Sequence, residues 1–168
     1  MNIAIITGAS RGIGRAAAKR FAKEGYSLLL NCEKNWTLLE ELQKEIQSEL
    51  KENCPEIFLC KDLGTKEGLS HILEGKSLSK LILIANSGKD AIKLLQDYSE
   101  EEISALLEAN LFQPFILCQN LLPYLLKAEE GRILFSSSVW GTVGASMESL
   151  YSLTKGGIST FAKALGKE

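Results

Sequence analysis

The chain has 168 residues, 45% of them hydrophobic, with a mean hydropathy of +0.02; this suffices to bury one core, and a single domain over residues 1–168 is expected. Lys and Arg number 19 against 21 Asp and Glu, a net charge of −2, and no block of like charge forms a nucleic-acid or membrane patch. Cys32, Cys54, Cys60 and Cys118 form no C-x-x-C pair, His71 stands alone, and neither a signal-peptide pattern nor a membrane-length apolar run occurs, so a cytoplasmic protein with reduced thiols and no metal site is expected.

Residues 2–7 form a short apolar run of strand length, and runs of the same kind recur at 26–31, 56–61, 80–85 and 132–137. After the first run, Ile13, Ala17 and Phe21 follow helical spacing, with Gly25 placed to close the helix. Trp36, Leu39, Gln43, Ile46 and Leu50 do the same after the second. Residues 67–78 are short and polar. Residues 99–127 read as a long helix that Ser99 caps with Glu102 at the capping-box position, interrupted by Pro114 and Pro123. From about residue 150 the chain is helical again. This alternation predicts a parallel sheet covered on both faces, an open α/β domain without repeats or linkers.

The first strand runs directly into Thr7-Gly-Ala-Ser-Arg-Gly-Ile-Gly14 and then into a helix. Gly8 can make the tight turn, Gly12 can admit a pyrophosphate to the backbone, and Gly14 can bring the helix close to the sheet. A dinucleotide is the expected ligand; the alternative is a glycine-rich turn without one. Further on, Tyr151 and Lys155 lie four residues apart, on one helix face. A carbonyl that takes up hydride at carbon needs a proton at oxygen, and a tyrosine, with a reference pKa of ~10, needs a neighbouring cation to take part near neutrality. The Tyr-x-x-x-Lys spacing alone is common by chance. Here it opens the helix after the fifth strand, on the same carboxyl side of the sheet as the glycine-rich turn, where hydride and proton donors are expected to meet.

Just upstream, Arg132-Ile-Leu-Phe-Ser-Ser-Ser-Val-Trp-Gly141 ends a strand in hydroxyls. A nucleophilic serine is disfavoured, because His71 is the single histidine and the surroundings of Ser138 are not G-x-S-x-G. Pro114 has no N–H, so a helix passing through it leaves the carbonyl of Asn110 free to bind water; the alternative is a buried amide at an ordinary kink.

Thr-Gly-x-x-x-Gly-Ile-Gly at Thr7–Gly14, the strand-Ser-Ser-hydrophobic-x-Gly segment around Ser138, and Tyr151-x-x-x-Lys155 together resemble the short-chain dehydrogenase/reductase family, over essentially the whole chain. The resemblance implies a doubly wound, Rossmann-like parallel sheet of strand order 3-2-1-4-5, with the family's last two strands absent beyond Glu168 and the fifth strand left as a sheet edge. It implies a catalytic set of Asn110, Ser138, Tyr151 and Lys155: Tyr151 as proton donor, Ser138 orienting the substrate oxygen, Asn110 holding a water behind Lys155. Ser136 and Ser137 are left to satisfy backbone or face the core. Gly8, Ser10, Arg11, Gly12, Ile13 and Gly14 would hold the cofactor phosphates, Asp62 and Leu63 the adenine. Asn86, Ser87 and Gly88 would line the cofactor within Ala85-Asn-Ser-Gly88, a mild departure from the family's Asn-Asn-Ala-Gly. Tyr151 and Lys155 would also contact it.

NAD-using relatives carry an Asp at the end of the second strand, where this chain has Cys32. Arg11 and Lys34 can meet a 2′-phosphate or remain solvated charges, and Glu33 argues the other way; NADP(H) is favoured over NAD(H). The segment from Ser138 to Tyr151 looks most like 3-oxoacyl-[acyl-carrier-protein] reductases, which implies a small-molecule or thioester carbonyl substrate and homo-oligomers formed through the helices near 99–127 and 150–168. Residues 127–132 offer no basic dock for an acidic carrier. The competing expectation is a truncated, non-catalytic remnant that binds nucleotide or a partner.

Overall fold

The computed structural model describes residues 1–168. Its strands are β1 (Asn2–Ile6), β2 (Ser27–Leu30), β3 (Ile57–Leu59), β4 (Lys80–Ala85) and β5 (Glu130–Phe135), and its helices α1 (Gly12–Lys23), α2 (Trp36–Leu50), α3 (Lys66–Leu73), α4 (Glu100–Leu107), α5 (Gln113–Lys127), α6 (Trp140–Val143) and α7 (Ser149–Leu165). The strands form one parallel sheet of order β3-β2-β1-β4-β5, the order expected. Ile3 sits opposite Ser27 on one side and Leu81 on the other, and Leu28 opposite Ile57. The chain divides into two compact units, one of residues 1–87 and 116–134, the other of residues 88–115 and 135–168.

In the first unit β1, β2 and β4 are buried almost throughout, which is why their sequences are unbroken in Ile and Leu. Ala18, Ala22, Leu39, Leu42 and Ile46 pack against Ala4, Ile6, Leu28 and Leu30. The fully buried stripe of α1 is Gly14, Ala18 and Ala22; of the expected face, Ala17 and Phe21 pack against the core partly buried, while Ile13 is 74% exposed. The reason is distance. Small residues let α1 lie against the glycine-rich turn, and a Cβ at Gly14 would stand 2.3 Å from the Gly8 carbonyl oxygen. On the outer side of α1, Arg15 and Lys19 both pair with Glu45 of α2.

Gly25 closes α1 in the left-handed region, φ +78°, and α2 buries Leu39, Leu42 and Ile46. α3 starts where Thr65 accepts the Gly68 N–H, and it stops at Leu73, before Gly75 at φ +73°. β5 lies two residues earlier than expected, because its pairing begins where the Glu130 N–H donates to the Ser79 carbonyl; Ser136 and Ser137 therefore fall outside the strand. It is the sheet edge, with Leu134 half exposed. All four cysteines are free, three of them buried, and burial raises each thiol pKa, that of Cys118 to about 12. No helix is long and apolar enough to cross a membrane.

In the second unit Ser99 caps α4 with the expected capping box: its hydroxyl accepts the Glu102 N–H and its own N–H donates to the Glu102 carboxylate. The break expected at Pro114 takes the form of a π turn over Glu108–Phe112, where the Gln113 N–H reaches back five residues to the Glu108 carbonyl. Pro123 lies inside α5 without ending it. Phe161 of α7 packs between Phe115 and Phe135, with ring centroids 5.0 and 5.5 Å away.

Candidate active site

The glycine-rich turn occupies the carboxyl end of β1. Gly8 and Gly12 have φ of +63° and +56°, the left-handed region that other residues enter only with strain. Thr7, the last residue before the turn, accepts the N–H groups of Asn86 and Ser87 on its hydroxyl, each at 3.0 Å. Asn86 returns the contact, its amide donating to the carbonyls of Thr7 and Gly8 at 3.3 and 3.4 Å. The ends of β1 and β4 are thereby clasped, so closely that a Cβ at Gly8 would stand 3.1 Å from the Asn86 amide nitrogen and the Ser87 Cα. At Gly12 the situation is opposite. A Cβ there meets nothing within 4 Å, so the backbone of the turn is open at this point, beside exposed Arg11 and Ile13. Open, left-handed backbone at a helix start suits a phosphate.

Ser10, expected in contact with cofactor, is buried, as is Cys32, itself 4% exposed. Lys34 is exposed. Leu63 is buried while Asp62 is exposed, its carbonyl accepting the N–H and hydroxyl of Thr65. Asp62 borders a cleft of about 630 Å³ shared with Lys61, His71 and Ile72. A larger cavity of about 770 Å³, lined by Lys66, Ser70, Asn120 and Tyr124 among others, contains none of the expected site residues.

The second unit contains all four residues expected to act on the substrate. Tyr151 is the third residue of α7 and half buried. One turn on, Lys155 is 5% exposed; its ammonium donates to the Ser136 carbonyl at 2.8 Å and lies 5.6 Å from the Tyr151 ring centroid. The Ser137 hydroxyl donates to the Lys155 carbonyl at 2.9 Å, the backbone role expected of it. Ser138 is half buried, and its hydroxyl accepts the Trp140 N–H at 3.2 Å at the start of α6. Asn110, in the middle of the π turn, is 1% exposed. Its amide oxygen accepts the Lys89 N–H and its amide nitrogen donates to the Lys89 carbonyl, both at 2.8 Å. A Cβ on Gly88 would stand 3.3 Å from the Lys155 ammonium and 3.4 Å from the Asn110 oxygen, so that position has room for no side chain without displacing them.

Two residues of this arrangement escape a reading of the sequence. Thr7 clasps the turn, and Thr154, fully buried between Tyr151 and Lys155, joins Asn110 to α7. Their signal is weak: each is a threonine where neighbouring positions are apolar or functional, and nothing in the chain names its partner.

Burial holds the Lys155 pKa below 10.5, because the charged form has lost water. The unfolded chain therefore binds more protons just below pH 10.5, and stability gains a contribution as pH rises through the folded pKa towards that value. Urea denaturation at pH about 8 and about 10 is expected to show a more favourable change for the parent than for Lys155→Met. Equal changes in the two proteins would remove the buried charge from the account.

A family model described as short chain dehydrogenase matches residues 2–168. The uncharacterized oxidoreductase YmfI of Bacillus subtilis is 33% identical over 98% of this chain and 67% of its own length. The 3-oxoacyl-[acyl-carrier-protein] reductase FabG of Chlamydia muridarum is 32% identical over 98% and 66%. Among solved structures, an alcohol dehydrogenase from the archaeon Thermococcus sibiricus, complexed with 5-hydroxy-NADP, superposes with a TM-score of 0.84 at 28% identity, covering 98% of this chain and 70% of that one. The chain thus spans about two thirds of the length of the curated relatives it matches.

Proposed function

The chain belongs to the short-chain dehydrogenase family, and on that footing we propose that it is an NADP(H)-dependent reductase of carbonyl compounds, with 3-oxoacyl thioesters as the leading substrate class. The observation that carries the reading is the buried Lys155 ammonium, held on the Ser136 carbonyl 5.6 Å from the Tyr151 ring. A fixed cation there favours the phenolate that remains once Tyr151 has given its proton to the substrate oxygen. Ser138 supplies a hydroxyl to orient that oxygen as charge develops on it. The Asn110 carbonyl, in a turn whose hydrogen-bond spacing is already relaxed to five residues, holds a water behind Lys155 that restores the proton.

Gly8, Gly12 and Gly14 fit the cofactor's phosphates through the open left-handed turn, with Ser10 buried within it and Arg11 and Ile13 on its exposed side. Asp62, Leu63, Asn86 and Ser87 complete the cofactor-binding set of the first unit, and the family resemblance adds Gly88, Tyr151 and Lys155 of the second. When bound, the cofactor supplies the hydride. Preference for NADP(H) is supported by Cys32 in place of a carboxylate, by the exposed cations Arg11 and Lys34, and by the 5-hydroxy-NADP of the Thermococcus structure. The thioester class is supported by the similarity to the Chlamydia reductase. Exposed Phe112, Phe115 and Leu153 support self-association through α5 and α7.

The test is oxidation of NADPH and, in parallel, NADH by the purified chain with acetoacetyl thioesters and small diketones. Turnover with NADPH preferred is expected. Cofactor binding without turnover would leave a nucleotide-binding protein, and preference for NADH would overturn the cofactor assignment.

A further inference from the structure

We propose that Thr154 is a positioning residue for Tyr151: its hydroxyl ties the first turn of α7 to Asn110 and so fixes where the phenol points. The inference rests on the reading of Tyr151 as proton donor. Thr154 has no exposure to solvent, and a hydroxyl so placed is costly unless both its capacities are used. They are. It donates to the Tyr151 carbonyl at 2.8 Å and accepts from the Asn110 amide nitrogen at 3.0 Å. Asn110 is itself held at two points by the backbone of Lys89. A continuous chain of hydrogen bonds therefore runs from the segment after β4, through the π turn, to the carbonyl of Tyr151.

A second observation gives this chain its importance. The first turn of α7 has no side-chain cap, since Glu148 at the N-cap position makes no capping bond, and Met147 before it lies in the left-handed region at φ +63°. Helix starts without caps leave N–H groups unpaired and fray. Tyr151 stands in that turn. Its side-chain direction follows the local backbone, and the Thr154 hydroxyl grips that backbone at the tyrosine itself, one residue before the lysine whose ammonium must face the ring. Of the residue types that would fill this space, only those with a hydroxyl make both bonds.

The experiment compares Thr154→Val, which removes the hydroxyl and strands the Asn110 N–H, with Thr154→Ser, which keeps it. Val is expected to lower kcat about tenfold and to displace the pH–rate limb of the proton donor, while the Kd for NADPH stays within about twofold. Ser is expected to return kcat to within about threefold of the parent, with the parent pH profile. Amide hydrogen exchange at residues 151–155 is expected to quicken about tenfold in Val, with exchange in α1 unchanged. A Val variant with the parent's kcat, pH profile and exchange overturns the proposal, as does a Ser variant as impaired as Val. If the parent itself shows no turnover, the reductase reading fails, and the exchange comparison separately decides whether the hydroxyl holds the turn.

Discussion

Tyr151→Phe is expected to lower NADPH oxidation with an acetoacetyl thioester by about 10²–10⁴-fold, the usual worth of a positioned general acid, while the Kd for NADPH moves by less than about threefold. The substitution removes one oxygen and leaves the ring, so the half-buried packing of the side chain and the approach of the Lys155 ammonium at 5.6 Å are both kept. What disappears is the transferable proton. Stopped-flow and steady-state assays at saturating NADPH measure the loss in kcat, and fluorescence titration of NADPH measures retention of the cofactor. Residual turnover near the parent rate would assign the proton to another group, the half-buried Ser138 being the nearest in kind.

Gly14→Ala is expected to unfold the chain at markedly lower temperature and to abolish NADPH binding. Two effects compete. Alanine is the better helix former by about 1 kcal/mol, which favours the variant. Against this, the new Cβ stands 2.3 Å from the Gly8 carbonyl oxygen and 2.8 Å from the Asn86 amide nitrogen. Neither neighbour can yield cheaply, since Gly8 already sits in a left-handed turn and Asn86 clasps that turn to β4. Overpacking against backbone costs at least about 1–3 kcal/mol, and here it outweighs the gain in helix propensity. At about 2–4 °C per kcal/mol for a chain of this size, the drop is readable by calorimetry. Gly12→Ala is the informative companion. It meets no neighbour within 4 Å and bears the left-handed strain of about 1–2 kcal/mol without a clash against backbone, so NADPH binding is expected to weaken while the glycine-rich turn keeps its place. A Gly14→Ala protein as stable as the parent would mean that α1 can move off the turn.

The parts of this molecule that follow from hydrophobic pattern alone were open to reading. β1, β2 and β4 are buried on both faces, and their unbroken aliphatic runs announce it. Pattern fails where two stripes compete. On α1 the bulkier Ile13, Ala17 and Phe21 outweigh Gly14, Ala18 and Ala22 by any hydrophobic measure, yet closeness to the sheet selects the smaller set for full burial. It fails again at β5, where Ile133-Leu-Phe is visible but the start of pairing depends on Glu130 meeting Ser79, a contact between distant parts of the chain. The four residues expected to act on the substrate were named by motif, and they lie in one unit. The hydrogen bonds that orient them were not legible, because Asn110 reaches Thr154 and Lys89 through a five-residue turn whose one trace in the sequence is Pro114.

The four thiols supply a clock for opening. Cys32, Cys60 and Cys118 are buried and their protons are held tightly, so none offers appreciable thiolate to an alkylating reagent at neutral pH while its surroundings stay closed. Each becomes reactive only as its own shelter parts: Cys32 beneath the glycine-rich turn, Cys60 at the end of β3, Cys118 within α5. Partly covered Cys54 serves as the fast reference. Mass spectrometry of timed iodoacetamide labelling then reads three local lifetimes from the unaltered protein, and added NADPH should lengthen that of Cys32 before it touches that of Cys118.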